Sequence, residues 1–251
     1  MSEKRNLSNI LTKKIIGILE YQKIKFITTS DLINLINKYT DSKDPLQLIK
    51  YLKKQKRLIS IKRNIYLYNS VSSLNNKVGV SEFEVNEAYL DGESYYIGLL
   101  NAYNHHKLTT QLSNQLFVFN TKYNIEKKIF NFKIKYIQIN KKVFFGIVKG
   151  KYLYSDLEKT IIDVLQYFKY IDKLENIINN IIKNKDLINE KKLISYAKKY
   201  KSIKLLKLIG IITDNKELYN YLNKKDKFRY YTKIRNSGSK KWYRKWKIIL
   251  I

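Results

Sequence analysis

The sequence predicts an α+β protein built as two units, and three observations carry that expectation. Residues 7–54 hold three stretches whose apolar side chains recur at helical spacing, followed by alternation over residues 57–68 of the kind a short hairpin shows. Residues 115–148 contain three strand-like runs, one of them alternating at Phe130, Phe132, Ile134 and Tyr136. From residue 155 to residue 223 the chain then reads as consecutive short helices. A small antiparallel sheet followed by a helical bundle is expected for this second unit.

Leu7, Ile10, Leu11, Ile15, Ile18 and Leu19 give a first amphipathic helix over residues 7–23. Thr28, Thr29, Ser30 and Asp31 offer N-caps for a second, whose apolar face is Leu32, Ile33, Leu35 and Ile36. Residues 39–44 form the turn. Pro45 suits the first position of a third helix, where its missing N–H removes no intrahelical bond. At about 100° per residue, Leu48, Ile49 and Leu52 fall on one side of that helix and Lys43, Gln47, Lys50 and Lys54 on the other. The hairpin turns near Arg63-Asn64, because Asn tolerates a left-handed backbone. Three helices and a hairpin in this order are the layout of a winged helix-turn-helix, expected over residues 1–70. The polar, turn-rich stretch from Ser70 to Lys77 marks a linker over residues 71–80, with the second domain over residues 81–251.

In that second domain, residues 94–108 read as a helix with Ile97, Leu100 and Ala102 inward. Strands are expected at residues 115–119, 130–139 and 143–148. Ser155-Asp-Leu-Glu158 has the spacing of a capping box and opens a helix through Leu165. Further helices follow at about 172–183, 190–200, 202–212 and 215–223, and the chain closes on a strand-like Trp246 to Ile251.

Charge points to the partner. The 251 residues carry 50 Lys and Arg against 21 Asp and Glu, a net charge of +29. Such a sum favours an anionic partner, nucleic acid before membrane surface. The palette, with only six Arg among the cations and abundant Ile, Asn and Tyr, resembles what an AT-rich genome would encode, so the total says less than the distribution. Eight bases and one acid lie between Lys43 and Tyr66, residues 81–100 carry five acids and no base, and residues 224–251 carry eleven bases and one acid.

These positions assign roles in duplex DNA recognition. Gln47, Lys50, Tyr51 and Lys54 are expected to face the major groove, with Lys62 and Arg63 on the wing. Lys43, Lys53, Lys56 and Arg57 would hold the backbone. Gln47 is the best base reader by chemistry, because its amide can pair with adenine while Lys contacts mainly add affinity. Aromatics interleaved with cations in the tail (Phe228, Tyr230, Tyr231, Trp242, Tyr243, Trp246) open a second class, a single-strand or RNA binder, against the alternative that they pack beneath the helices. A protein-interaction module is the third class.

Other chemistry finds little footing. No thiolate metal site or disulfide is possible with zero cysteines. His105 and His106 are the only histidines, and a helix-end or packing role suits them better than ligation. Glu82, Glu84 and Glu87 read as a solvated linker or as partners for a Lys-rich surface. Eight glycines form no phosphate-binding fingerprint. Neither cofactor nor metal nor enzyme activity is expected. With no signal peptide and no run of about 18 apolar residues, the expectation is a soluble cytoplasmic protein with no membrane partner.

The ordered set of motifs resembles the AbiEi group of type IV antitoxins over nearly the full chain. Arg63-Asn64-Ile65-Tyr66 is similar to the wing's Arg-Gly-apolar-Tyr, with Asn in the glycine place. Tyr96-Ile97-Gly98 leads to Ala102 and then to His106-Lys107-Leu108, where the family has His-Gly-Leu. Ser155 to Asp163 resembles its Glu-Lys-Thr segment. Leu206-Lys207-Leu208-Ile209-Gly210 resembles its Arg-Leu-Gly motif with Lys for Arg, and Trp246-Lys247-Ile248 its closing tryptophan strand, without the terminal Asn. The resemblance implies a regulator that represses its own operon at an inverted-repeat operator. It also implies a partner toxin of nucleotidyltransferase type, counteracted without obligatory contact. Lys159, Lys191, Lys198, Lys199, Lys201, Lys204 and Lys207 crowd the helices after residue 155, and they are the surface expected to serve that second role.

Overall fold

A computed structural model describes residues 2–40, 44–70, 79–235 and 240–251, with side chains described from residue 10 onward. The chain divides into two compact units, Met1–Gly92 and Glu93–Ile251.

The first unit runs α1 (Ser2–Tyr21), β1 (Phe26–Thr28), α2 (Thr29–Tyr39), α3 (Pro45–Lys54), β2 (Leu58–Lys62), β3 (Ile65–Tyr68) and α4 (Glu82–Leu90). Thr28 caps α2 by accepting the Asp31 amide, and Asp44 caps α3 by accepting that of Gln47. The three strands form an antiparallel sheet in the order β1-β3-β2. Asn64 sits at the β2–β3 turn with φ +65°, the left-handed conformation expected there. Ile15, Leu19, Leu32, Ile36, Leu52 and Tyr66 close a core shared by helices and sheet.

The sequence places the residues from 81 onward in the second domain, whereas the structure groups α4 with the first unit. Ser81 and Glu84 form a full capping box at its start. Glu84 also pairs with Lys25 at 2.7 Å, so this acid is an internal partner for a lysine. Most of the expected linker, residues 71–78, lies outside the described residues.

The second unit holds β4 (Tyr95–Ile97), α5 (Leu99–His105), β5 (Leu116–Asn120), β6 (Ile125–Ile129), β7 (Phe132–Gln138), β8 (Ile147–Lys149) and β9 (Leu153–Ser155). These strands build one six-stranded sheet in the order β6-β7-β5-β4-β9-β8. It is mixed, correcting the expectation of an antiparallel one: β5 runs parallel to β7, and β4 parallel to β9. The edge strand β6 takes up the reversal, so β7 re-enters beside β5 in the same direction. Alternation along a strand reports which face is buried and carries no information on a neighbour's direction. The expected helix over residues 94–108 begins only at Leu99. Tyr95, Tyr96 and Ile97 are buried side by side, which a two-sided strand in mid-sheet accommodates and one helix face does not.

Helices α6 (Leu157–Gln166), α7 (Leu174–Lys183), α8 (Glu190–Lys199), α9 (Ile203–Thr213) and α10 (Lys216–Asn223) follow. Their apolar faces meet in one core that includes Ile161, Ile178, Leu193, Ile209 and Leu222. A second sheet, β10 (Thr232–Ile234), β11 (Lys241–Tyr243) and β12 (Ile248–Leu250), lies in the order β10-β12-β11 and contributes Ile234, Ile248 and Leu250 to the same core. The α6 cap falls one residue later than expected. Asp156 accepts the Lys159 amide at 2.8 Å, while Ser155 stays in β9 with its hydroxyl on Thr160. Glu158 reaches away to accept the Asn189 amide at 3.0 Å and to pair with Lys192 at 2.7 Å.

Candidate nucleic-acid interface

The expected DNA-facing residues gather on α3 and the hairpin after it. Leu48, Ile49 and Leu52 are buried, which turns the opposite side of α3 to solvent. Gln47, Lys50 and Lys54 are exposed there, and Tyr51 is half-buried. From Pro45 to Asn64 the chain has no acidic residue, so the charge that this segment itself contributes is positive throughout.

The remaining cations divide. Lys53 is exposed, but its ammonium sits 4.7 Å from the centre of the Tyr66 ring and 3.5 Å from its hydroxyl, folded back along the sheet. Lys56 is exposed just past α3, with a left-handed φ of +57°. Arg57 is half-buried and donates to the Asn69 carbonyl at 3.5 Å. Lys62 pairs with Asp91, the residue after α4, at 3.7 Å and lies over the Tyr89 ring. Arg63 is exposed beside Asn64 at the hairpin tip. Lys43 lies outside the described residues.

The second expected surface loses two members. Lys159 and Lys207 are fully buried and cannot belong to any exposed face. Lys159 donates to Asp163 at 2.5 Å, to the Tyr200 hydroxyl at 2.6 Å and to that of Tyr96 at 2.7 Å. Tyr96 and Tyr200 in turn donate to Asp163, each at 3.0 Å. Burial pulls the Lys159 ammonium below its ordinary pKa and pushes the Asp163 carboxyl up, and each partner opposes the other's shift. Lys207 instead donates to the Tyr230 carbonyl at 2.6 Å and to the Thr232 hydroxyl at 3.0 Å, tying α9 to the start of β10. Burial lowers its pKa, with nearby Lys247 adding to the shift.

Lys191, Lys198, Lys199 and Lys201 are exposed. Lys198 lies over Tyr221 and Lys199 over Phe145. Lys204 is half-buried above Phe168, its pKa lowered by burial and then by Lys169. The two histidines sit at the helix end: the His106 backbone N–H caps α5 by donating to the Ala102 carbonyl, its Nε2 lies 2.8 Å from the Ser155 carbonyl, and His105 stacks on Tyr154.

No family model matches the sequence, and no curated protein matches it. The fold is similar to the crystal structure of the Rv2827c protein from Mycobacterium tuberculosis, with a TM-score of 0.70 over 96% of this chain and 91% of that one. At 9% identity the likeness is one of fold. Among the described residues, no helix is long and apolar enough to cross a membrane.

Proposed function

We propose that the first unit is a winged helix-turn-helix that reads double-stranded DNA, and that the chain is a transcriptional regulator of the AbiEi antitoxin kind. The observation that carries this reading is the exposed face of α3. It presents an amide at Gln47 and cations at Lys50 and Lys54, in a segment without acids and beside an antiparallel hairpin tipped by Arg63. In the reading, α3 enters the major groove with Gln47 against adenine, while Lys50 and Lys54 meet phosphate or guanine. Arg63 is the leading wing contact, because Lys62 is shared with Asp91. Lys56 adds a phosphate contact at the end of α3.

The test is binding of the full chain to duplex DNA from its own promoter. Lys50→Ala with Lys54→Ala is expected to weaken binding about tenfold or more at low salt, with the melting temperature unchanged within error. Wild-type affinity in the folded double variant would remove α3 from the recognition role.

The antitoxin activity belongs to the second unit in this reading, carried by Lys191, Lys198, Lys199 and Lys201. Co-expression with a neighbouring nucleotidyltransferase-type toxin checks it: Lys198→Glu with Lys201→Glu should impair rescue yet leave promoter binding intact. Full rescue by the folded variant assigns neutralisation elsewhere.

A further inference from the structure

The outer face of the C-terminal sheet is built differently from the rest of the surface. Cross-strand register places Trp242 opposite Ile249, and Ile249 opposite Lys233. These three share one face, while Ile234, Ile248 and Leu250 on the other enter the helical core. Tyr231 completes the outer face, its ring set edge-on to Trp242 at 5.4 Å between centres. Lys240 lies over the Trp242 ring and Lys247 over the Tyr231 ring. Trp242 is 49% exposed and Tyr230, one residue further out, 74%.

Ile249 at the centre of this face is buried at 4%, yet Trp242 and Tyr231 beside it keep 49% and 38% of their surface exposed, and that exposure needs an explanation. The core does not use them, since its tryptophan is Trp246, which is 4% exposed and packs against α9 and Tyr219. The neighbouring cations are only partly matched by acids. Lys241 is paired with Glu175 and Lys245 with Asp214, but among the described residues no ion pair is found for Lys233, Lys240, Arg244 or Lys247. Residues 224–251 contain a single acid, Asp226. An edge-on aromatic pair flanked by lysines that have no acidic partner among the described residues matches unpaired bases carried on a phosphate backbone: a base stacks on the open indole face and phosphates draw the lysines off the rings. A protein partner of acidic character would satisfy the lysines and leave the exposed indole and phenol rings without a planar counterpart.

We propose that this face, centred on Tyr231 and Trp242 and flanked by Lys233, Lys240 and Lys247, binds single-stranded nucleic acid. Stacking and charge do not read the 2′-hydroxyl, so RNA and DNA strands are both accepted. The site is independent of duplex recognition by α3.

The two tryptophans make the test direct. Titrating the full chain with oligo(U) and with oligo(dT) of about 20 nucleotides should quench the exposed Trp242 emission and leave that of buried Trp246. Tyr231→Ala with Trp242→Ala is expected to lower affinity for both strands about tenfold or more. Trp242→Phe should keep affinity within about threefold, since one ring still stacks, yet abolish quenching. Lys50→Ala with Lys54→Ala should bind both strands as wild type does, which separates this site from the duplex one. Absence of binding to either strand at low salt would overturn the proposal. So would wild-type affinity in a natively melting Tyr231→Ala, Trp242→Ala variant. If that variant does not fold, quenching that persists in Trp242→Phe overturns it equally.

Discussion

Lys159 Nζ lies 2.5 Å from Asp163 Oδ1, one turn apart on α6, with at most 1% of either side chain exposed. A buried ion pair is weak evidence of net stabilisation, because desolvating both charges offsets most of their attraction. Here the two tyrosine hydroxyls complete it. Tyr96 comes from β4 and Tyr200 from the end of α8, so the network joins the six-stranded sheet to the helical core.

Removing one charge should therefore be costly. Lys159→Met leaves Asp163 buried with no cation and is expected to cost about 3–5 kcal/mol. Replacing both, as Lys159→Met with Asp163→Leu, should restore part of that loss. Urea denaturation of the three proteins measures the coupling. A Lys159→Met variant as stable as wild type would show that the pair is dispensable.

Glu84 gives the first unit a pH dependence of known sign. Its carboxyl is held below the usual 4.5, first by the hydrogen bond from Lys25 and then by the Ser81 amide. A depressed folded pKa contributes stability that is complete above 4.5 and lost as pH falls through the lower folded value. Glu84→Gln should be less stable than wild type by up to about 1 kcal/mol at neutral pH. The gap should close as the pH is lowered below 4.5. Denaturation midpoints across that range check it, and a constant gap would assign the effect to shape rather than charge.

Gly210 admits no side chain. A Cβ built there would stand 2.1 to 2.5 Å from three carbons of the Trp246 indole. Gly210→Ala is expected to cost about 1–3 kcal/mol through overpacking, and adding Trp246→Leu should recover part of it. Thermal melting of the two variants tests this. An unperturbed Gly210→Ala protein would mean the indole can swing clear.

Much of the first unit was legible. Apolar spacing placed α2 and α3, Thr28 and Asp44 lay where N-caps belong, and Asn64 marked the turn, because each signal is local in sequence. The second unit was less so. Strand direction depends on where β6 and β9 insert, and nothing inside β5 or β7 encodes that. The buried lysines are hidden for a related reason: charge alone groups Lys159 and Lys207 with their solvated neighbours. A signal was present, since Lys159 and Asp163 stand four apart in a run otherwise made of Thr160, Ile161, Ile162, Val164 and Leu165. A helix apolar on nearly every side cannot leave that pair in water. Tyr96 and Tyr200, which complete the cluster, are 63 and 41 residues from Lys159, beyond any spacing rule.

The strand order β10-β12-β11 has a bearing on biosynthesis. The middle strand is the last of the three to leave the ribosome, so β10 and β11 have no hydrogen-bonded neighbour in a nascent chain that ends before Ile248. A released chain without β12 has two open strand edges beside a helical core that lacks Ile248 and Leu250. Loss of β12 would therefore leave the released chain prone to aggregation through those edges, while the first unit keeps a core of its own.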